Sequence, residues 1–450
     1  MAEDFIAKYG DARLPRYTSY PTAPNFSKEF DAAQYVTWLR DIDADAPSSV
    51  YLHIPFCRSM CWYCGCHTTI TERDKPILDY LEVLHREIDL VAATRKHPLS
   101  ISEIHFGGGT PTIIAPDEFI ALMVALKERL GFARELNTSV EIDPRTLTSE
   151  MAAALGEAGV TRASLGVQSF DPLVQKAINR IQTQETTLAS VEELRKNGIQ
   201  AINFDLIYGL PHQSIASCVD TVKAAVSMRP DRFAVFGYAH VPDFKKHQRL
   251  IDERVLPDAQ ERALQADAIA EALVQAGYER IGMDHYSLPG DELAVAQRER
   301  RLHRNFQGYT TDACETLIGL GASSIGRFVN GYAQNEVPPG LYASRVAGGE
   351  LPIAKGYNVS NEDRLRGAII ERLMCDYEVD IDALATTFGL DPRALQVNTE
   401  LIDQLCHDGL IERVDQRIKV SQSHRYIVRS VASAFDAYLG AAGRTFSKVA

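Results

Sequence analysis

The sequence lacks any apolar run long enough to span a bilayer, and acidic residues outnumber basic ones. Its apolar stretches fall well short of the roughly 20 residues that a membrane-spanning helix needs. Lys and Arg number 47 against 60 Asp and Glu, so the formal net charge is −13 at pH 7. An acidic surface is unsuited to nucleic acid or to an anionic membrane. We therefore expect no membrane segment and no nucleic-acid partner.

The sequence also lacks an export signal and is poor in cysteine. The first residues, Met-Ala-Glu-Asp-Phe, carry no positive charge ahead of an apolar segment. Only eight cysteines occur in 450 residues, without a plausible pairing scheme. Disulfide frameworks are typical of small secreted chains. We expect a soluble cytoplasmic protein, and the length indicates two to three domains.

Four of the eight cysteines nevertheless lie within ten residues: Cys57, Cys61, Cys64 and Cys66. Structural zinc would require a second pair of ligands, and a ferredoxin-type electron carrier would require a fourth cysteine farther along the chain. The spacing C-x3-C-x2-C of the first three thiols instead suits three irons of a [4Fe–4S] cluster, with the fourth iron left open for chemistry. Cys66 lies only two residues beyond Cys64, and we predict that it is not a ligand.

Short apolar runs alternate with amphipathic stretches between residues 49 and 330. The expected strands are at 49–54, 103–106, 138–142, 162–167, 201–208, 232–238 and 278–283. The expected helices are at 76–95, 116–130, 149–158, 186–196, 215–228 and 258–276. This alternation predicts an α/β fold with a parallel sheet, curled into a partial or complete (β/α) barrel. In such sheets the chemistry gathers at the carboxyl ends of the strands.

Three parts of the chain are distinguished by their patterns. We assign residues 1–48 to an N-terminal extension that acts as a lid, 49–345 to the catalytic barrel and 360–450 to a C-terminal, mainly helical domain. Helices are expected at 363–376, 380–388, 394–408 and 423–440, with strands at 410–414 and 417–420. This order resembles a winged-helix module. Such modules often bind DNA, but this one has no concentrated basic face, which favours a packing or lid role.

A glycine-rich strand end follows the cysteine loop, in Ile104-His-Phe-Gly-Gly-Gly-Thr-Pro111. Glycines allow the backbone to come close to a ligand. The Lys-Ser/Thr pair of a Walker phosphate loop is absent. Taken alone, the segment fits a tight turn as well as a ligand contact. A second glycine-rich stretch at 319–326 lacks the strand–glycine–helix order of a dinucleotide site.

Together, the cysteine loop and the segment Gly107-Gly-Gly-Thr-Pro111 resemble the radical S-adenosylmethionine (SAM) superfamily. Further segments resemble one of its families, the bacterial oxygen-independent coproporphyrinogen III oxidases (dehydrogenases). They are residues 15–23, 61–66, 203–211, 282–285 and 302–309. The Cys-Gly-Cys ending of the loop at Cys66 is a marker of this family. The resemblance runs along almost the whole chain.

The resemblance implies a [4Fe–4S] cluster on Cys57, Cys61 and Cys64, and two bound SAM molecules. The implied contacts of the SAM on the cluster are Tyr51, Gly108, Glu141 and Ile325. Those of the second SAM are Tyr63, Gly109, Thr110, Gln168, Arg180, Asp205 and Ala239. The chemistry of these side chains agrees, since a carboxylate can accept hydrogen bonds from a ribose or an ammonium group, and arginine can clamp a carboxylate. Taken singly, each is more often a surface or ion-pair residue.

The activity implied by the family is oxidative decarboxylation of two propionates of coproporphyrinogen III to vinyl groups, without O2, in heme biosynthesis. It requires an electron donor for the cluster and an electron acceptor, and we expect a monomer. Arg16, Arg162 and Arg304 are candidate cations for the carboxylates of the substrate. The alternative is a relative that binds or delivers heme without decarboxylating a substrate. A DNA-binding regulator is disfavoured by the acidic charge.

Overall fold

The computed structural model describes residues 8, 9 and 12–440. Twelve strands form its large sheet. In chain order they are β1 Pro47–Ile54, β2 Ser100–Gly108, β3 Phe132–Ile142, β4 Arg162–Gln168, β5 Ala201–Tyr208, β6 Arg232–Gly237, β7 Glu279–Ile281, β8 His285–Ser287, β9 Thr316–Leu320, β10 Ile325–Phe328, β11 Gly331–Asn335 and β12 Ile353–Asn358. Their order in the sheet is β12-β11-β10-β9-β1-β2-β3-β4-β5-β6-β8-β7.

Seven neighbouring strands, from β9 through β1 to β6, run parallel. The strands at both edges are antiparallel additions. Within residues 12–440 no pairing joins β12 to β7, so the predicted barrel is partial. Burial on both faces explains the apolar runs, as in β1, where Val50, Leu52 and Ile54 are almost inaccessible.

Ten helices accompany the large sheet in the described part of the chain. They are α1 Ala32–Asp41, α2 Lys75–Ala93, α3 Pro116–Arg129, α4 Ser149–Glu157, α5 Pro172–Ala177, α6 Gln184–Lys196, α7 Ile215–Ser227, α8 Ala259–Gln275, α9 Glu292–Arg298 and α10 Pro339–Ala347. Their starts follow ordinary capping chemistry: Thr148, Thr183 and Ser214 each accept a backbone N–H of the first turn. No helix of the described residues combines the length and apolar character needed to cross a membrane.

One expected parallel strand, at 278–283, is wrong. Its residues form β7 and the turn into β8, an antiparallel hairpin at the edge of the sheet. Gly282 has a φ of 56° in that turn, a backbone conformation that favours glycine. The seventh parallel strand is β9, part of which belongs to the glycine-rich stretch at 319–326. All five residues of β9 are buried, so its sequence carries no alternation that would mark a strand.

Up to residue 440, the C-terminal unit contains four further helices, α11 Asn361–Asp376, α12 Ile381–Phe388, α13 Thr399–His407 and α14 Val428–Ser433. Three short strands, Glu378–Asp380, Ile411–Val414 and Arg417–Val420, form its antiparallel sheet. This order of elements is that of a winged helix, as the sequence suggested. The helix expected at 423–440 is wrong in extent, because residues Gln422–Ile427 form a 3-10 turn before the short helix α14.

The boundaries between the parts differ from those expected. Strand β12 lies in the large sheet although it follows residue 345, so the barrel unit continues to the start of α11. The N-terminal segment is also part of the interior: Trp38 and Leu39 of α1 pack in the large core, and Tyr17 and Tyr20 pack in the core of the C-terminal unit. The segment therefore joins the two units through apolar contacts.

Candidate active site

The cysteine loop projects from the carboxyl end of β1. Two short strands, Phe56–Cys57 and Thr69–Ile70, pair in parallel and close the base of the loop. Among the three predicted ligands, Cys61 is buried while Cys57 and Cys64 are half-buried. Cys66 is exposed, and all four thiols are free of disulfides. The loop therefore offers three partly enclosed sulfurs, and the thiol of Cys66 lies against that of Cys64.

Each of the three enclosed sulfurs accepts hydrogen bonds. The donors are Thr68 and Thr110 to Cys57 at 3.3 and 3.4 Å, Arg145 and Arg180 to Cys61 at 3.4 and 3.5 Å, and the backbone N–H of Cys66 to Cys64 at 3.4 Å. Such donors stabilise thiolates and tune iron–sulfur clusters. The Cys66 thiol, and less strongly His247 and Lys245, lower the pKa of the Cys64 thiol. The donor set fits sulfurs that bind as thiolates.

The arrangement does not suit a single metal ion. Within residues 12–440 no three His, Cys, Asp or Glu side chains converge as the ligands of one ion would. In a cubic cluster each thiolate holds its own iron, so its sulfurs do not share one centre. The absence of such a group is therefore compatible with three thiolates that each bind an iron of their own.

A polar segment after β6, which was not predicted from the sequence, holds the cysteine loop in place. Its side chains donate to three carbonyl oxygens of the loop: Lys245 to Cys66 at 2.9 Å, His247 to Cys64 at 2.7 Å and Gln248 to Tyr63 at 2.9 Å. Gln248 also donates to the carbonyl of Ala239 at 3.3 Å. The carbonyls of Tyr63 and Ala239, far apart in sequence, thus both accept a hydrogen bond from the side chain of Gln248.

Tyr51, Gly108, Glu141 and Ile325 come together at the same end of the sheet. The backbone N–H of Gly108 donates to Glu141 Oε2 at 3.2 Å. A Cβ placed on Gly107 would lie 2.9 Å from the hydroxyl of Tyr51 and 3.0 Å from Glu141 Oε1. Ile325 begins β10, two strands away from β1 in the sheet. The four residues therefore lie at the same end of neighbouring strands.

The glycines at the end of β2 are required by close backbone approach. Gly108 has a φ of 122°, and a Cβ there would lie 2.8 Å from the carbonyl of Ile54. A Cβ on Gly109 would lie 2.5 Å from the carbonyl of Phe56. No side chain fits at either position without movement of the strand that carries the cysteine loop. Thr110 follows directly, and its hydroxyl donates a hydrogen bond to the sulfur of Cys57.

Gln168 and Arg180 lie side by side next to the loop, and each has an unsatisfied polar atom. Arg180 donates to the carbonyl of Gly166 at 2.7 Å and to Asp143 Oδ1 at 3.3 Å. Its Nε and the Oε1 of Gln168 are buried without a hydrogen-bond partner among the described residues. Buried polar atoms are rarely left unpaired, because desolvation is costly. A polar ligand such as SAM would supply the missing partners.

Asp205 lies on β5 beside this pair. It accepts hydrogen bonds from Asn203 Nδ2 at 2.9 Å and from Ser164 Oγ at 3.2 Å. Burial, reinforced by the negative charge of Glu141, raises the pKa of Asp205 to about 7. Donors from a ligand, such as the hydroxyls of a ribose, would favour its ionised form.

Two residues after β3 complete the surroundings of Cys61 and were not predicted. Asp143 bridges Arg145, at 2.6 Å, and Arg180, at 3.3 Å, and both arginines donate to the sulfur of Cys61. Their position in the sequence could have indicated them, because Asp143 and Arg145 follow Glu141 closely at the same strand end.

Beside the loop, a cavity of about 520 Å³ lies between the edge of the sheet at β6 and the C-terminal unit. Aromatic and apolar walls, including Tyr208, Phe236 and Ala239, alternate with charged groups. Six arginines line it: Arg13, Arg16, Arg262, Arg280, Arg425 and Arg429. They come from the N-terminal segment, the barrel and the C-terminal unit, so all three parts of the chain build this cavity.

Only one of the three arginines singled out from the sequence lines this cavity. Arg16 does, and it also donates to the carbonyl of Gly237 at 3.4 Å. Arg162 begins β4, so it lies at the opposite end of the strand from the cysteine loop, where it pairs with Asp291 at 3.6 Å. Its assignment to substrate carboxylates is therefore wrong. Arg304 is buried behind the wall, 3.7 Å from Asp284.

Comparison with known proteins gives concordant results. Residues 51–225 match the Radical SAM superfamily, and residues 359–426 match the HemN C-terminal domain. The chain is 54% identical over 439 residues to the oxygen-independent coproporphyrinogen III oxidase of Bradyrhizobium diazoefficiens, covering 98% of both chains. It is 40% identical to the enzyme of that name from Pseudomonas aeruginosa, covering 99% of this chain and 98% of the relative.

A solved structure is similar along nearly the whole chain. It is that of coproporphyrinogen III oxidase (HemN) from Escherichia coli, described as a radical SAM enzyme. The TM-score is 0.90 at 35% sequence identity, and the match covers 95% of this chain and 100% of the other.

Proposed function

Because the chain belongs to the family of oxygen-independent coproporphyrinogen III oxidases, we propose that it converts coproporphyrinogen III to protoporphyrinogen IX in heme biosynthesis. It is an oxidoreductase of the radical SAM superfamily that uses a [4Fe–4S] cluster and SAM. The observation that carries the proposal is the adjacency of two features: three hydrogen-bonded thiols on one loop, and an arginine-lined cavity that shares Ala239 with their supporting segment.

Cys57, Cys61 and Cys64 would hold the cluster, with Cys66 outside the ligand set. When bound, the cluster and SAM supply a one-electron cleavage that yields a radical able to take hydrogen from a saturated carbon. The protein contributes the surroundings. The guanidinium groups of Arg145 and Arg180 lie beside the sulfur of Cys61 and donate hydrogen bonds to it. The closely packed glycines keep other side chains out of the space beside the loop.

Two groups of residues would bind SAM. Tyr51, Gly108, Glu141 and Ile325 would contact the SAM on the cluster, where Glu141 can accept from an ammonium group. Tyr63, Gly109, Thr110, Gln168, Arg180, Asp205 and Ala239 would contact a second SAM. The unpaired atoms of Gln168 and Arg180 support the latter assignment, because each requires a partner that the described residues do not supply.

The cavity would hold the substrate, an apolar macrocycle with four carboxylates. Arginines match carboxylates in charge and geometry, and Tyr208 and Phe236 offer apolar surface to the ring system. At each reacting propionate the β-carbon loses a hydrogen atom, and the side chain then releases CO2 and one electron to leave a vinyl group. Two propionates react, so two SAM molecules are consumed.

The remaining assignments follow from the same reaction. An external donor must reduce the cluster, and an acceptor must take the electron released with CO2. The enzyme would act as a monomer in the cytoplasm, where its eight free cysteines remain reduced. The segment with Arg13 and Arg16 would act as a lid over the cavity. DNA binding is disfavoured, since helix α13 carries Glu400 and Asp403 but no lysine or arginine.

The test is anaerobic reconstitution of the cluster, followed by incubation with SAM, a reductant and coproporphyrinogen III. We expect a divinyl product, two CO2 per substrate and two cleaved SAM. Cleavage of SAM without vinyl formation would contradict the substrate assignment. Stoichiometric heme binding without turnover would instead support a heme-delivery protein.

A further inference from the structure

One carboxylate stands out in the wall of the arginine-lined cavity. Asp284 lies between β7 and β8, and only 7% of its surface is exposed. It lines the cavity together with Tyr286, which lies on the same face of the β8 hairpin two residues later. The aspartate is thus a fixed group of the cavity wall and not a mobile surface carboxylate.

The two oxygens of Asp284 have different environments. Oδ1 accepts a hydrogen bond from His285 Nδ1 at 2.7 Å. Oδ2 lies 3.7 Å from Arg304 Nη2, which is too long for a hydrogen bond. Among residues 12–440 no donor hydrogen-bonds to Oδ2. Burial would raise the pKa of Asp284, but the charges of Arg304 and His285 hold it well below its ordinary value, so the group is ionised.

A fixed negative charge is unexpected in a cavity for a molecule with four carboxylates. It would repel the substrate unless it met a hydrogen-bond donor. A porphyrinogen has donors at one place only, the four pyrrole N–H groups at its centre. Saturated carbons join its pyrroles, so the rings can tilt and direct several N–H groups towards one acceptor. An ionised carboxylate can accept up to about four hydrogen bonds.

We propose that Asp284 accepts hydrogen bonds from the pyrrole N–H groups of the substrate through Oδ2, and thereby selects the reduced macrocycle over the oxidised porphyrin. Oxidation to the porphyrin removes two of the four inner N–H groups and leaves nitrogen lone pairs that face the carboxylate. His285 acts as a positioning residue, because its hydrogen bond fixes Oδ1. The inference rests on the proposed function, since it requires a porphyrinogen in this cavity.

The first measurement uses the wild-type holoenzyme. Its KM for coproporphyrinogen III is compared with the inhibition constant of coproporphyrin III, the oxidised compound with the same four propionates. We expect the porphyrin to bind at least about tenfold more weakly, corresponding to the loss of one or more hydrogen bonds to a charged group. Equal binding of the two compounds would overturn the inference even if the vinyl product forms. Absence of vinyl product would overturn the proposed function itself.

The second measurement compares Asp284→Asn with Asp220→Asn. Asp220 lies on α7, is exposed and does not line the cavity. Asp284→Asn should raise the KM for coproporphyrinogen III about tenfold and reduce the preference over the porphyrin, whereas Asp220→Asn should change neither. The SAM affinity of Asp284→Asn should stay at the wild-type value, because it does not depend on the pyrrole contact. Loss of the charge beside buried Arg304 should lower the melting temperature, so KM values are compared at a temperature at which both variants are folded. An unchanged KM and an unchanged preference in Asp284→Asn would refute the proposed role.

Discussion

Arg145 Nη2 lies 3.4 Å from the sulfur of Cys61, and Asp143 holds the guanidinium there with a contact of 2.6 Å to the same nitrogen. A cation beside a cluster thiolate stabilises the reduced, more negative cluster. We predict that Arg145→Gln lowers the reduction potential of the cluster by about 50 mV, the equivalent of roughly 1 kcal/mol for one electron. Redox titration followed by electron paramagnetic resonance measures this shift.

A matched control for this prediction is Arg134→Gln. Arg134 lies on the same strand, β3, but near its amino end and exposed to solvent. Its replacement should leave the potential unchanged. Equal potentials in Arg145→Gln and in the wild type would show that the guanidinium has no electrostatic effect on the cluster.

The position of Cys66 predicts unequal effects of two cysteine substitutions. Cys61 is buried and accepts two arginine donors, whereas Cys66 is exposed and contributes only its N–H and thiol to Cys64. Cys61→Ala should abolish the visible absorbance of the cluster and the bound iron, which is about four irons per chain for one [4Fe–4S] cluster. Cys66→Ala should retain it, with an iron content equal to that of the wild type. Loss of iron in Cys66→Ala would show that Cys66 is a ligand of the cluster.

Crowding at the end of β2 predicts that Gly109 tolerates no side chain. A Cβ there would lie 2.5 Å from the carbonyl of Phe56 and 2.6 Å from the hydroxyl of Thr68, so Gly109→Ala must displace the strand that precedes Cys57. We expect cluster incorporation and SAM cleavage to fall at least about tenfold, as for misplacement of catalytic groups by about 1 Å. Gly65→Ala, within the cysteine loop but with open space around it, is the control and should behave as the wild type.

The SAM-contact residues were implied by the family resemblance and not by local patterns, but the patterns do place several of them at strand ends. The positions of Glu141, Gln168 and Asp205 on neighbouring strands bring them together once the sheet is parallel. Contacts supplied by irregular segments were missed, since no periodicity marks them: His247 and Gln248 reach the loop from a 3-10 turn.

Two physical causes explain where the structure differs from the expectations drawn from the sequence. An apolar run does not distinguish an interior parallel strand from an edge hairpin. For this reason residues 278–283 were expected to form the seventh parallel strand, which is in fact β9. The direction in which a strand runs decides which of its ends faces the site, and this places Arg162 far from the cysteine loop although Gln168 on the same strand lies beside it. The cavity itself requires three distant parts of the chain, whose contact no local pattern reveals.

The raised pKa of Asp205 predicts a pH dependence of SAM binding. Its pKa is about 7 in the ligand-free site, and hydroxyl donors of a ligand would stabilise the ionised form. Binding below pH 7 must then release a proton, so the dissociation constant should rise by up to about tenfold per pH unit as the pH falls. Calorimetry in buffers of different ionisation enthalpy measures the proton release. Asp205→Asn should bind SAM more weakly and without proton release, and wild-type proton release in this variant would contradict the assignment.

Glu87 is a buried carboxylate of α2 that fixes the loop before Ile325. It accepts hydrogen bonds from the N–H of Gly321 at 2.7 Å, from Asn335 Nδ2 at 2.6 Å and from the hydroxyl of Tyr342 at 2.7 Å. Burial outweighs these bonds and raises its pKa from 4.5 to about 7. Because the folded protein binds this proton more tightly than the unfolded chain, the stabilisation is complete below pH 4.5 and is lost as the pH rises to about 7.

Glu87→Gln cannot ionise, so the fall in the free energy of unfolding between pH 5 and 7, about 2 kcal/mol for this group, should disappear. Glu87→Ala leaves three donors unpaired and should cost about 3 kcal/mol at pH 6. Urea unfolding across this pH range measures both effects. Glu82→Gln, an exposed position of the same helix, is the control and should follow the wild-type curve. If Glu87→Gln keeps the wild-type pH dependence, Glu87 is ionised throughout and the burial of its charge is compensated by the three donors.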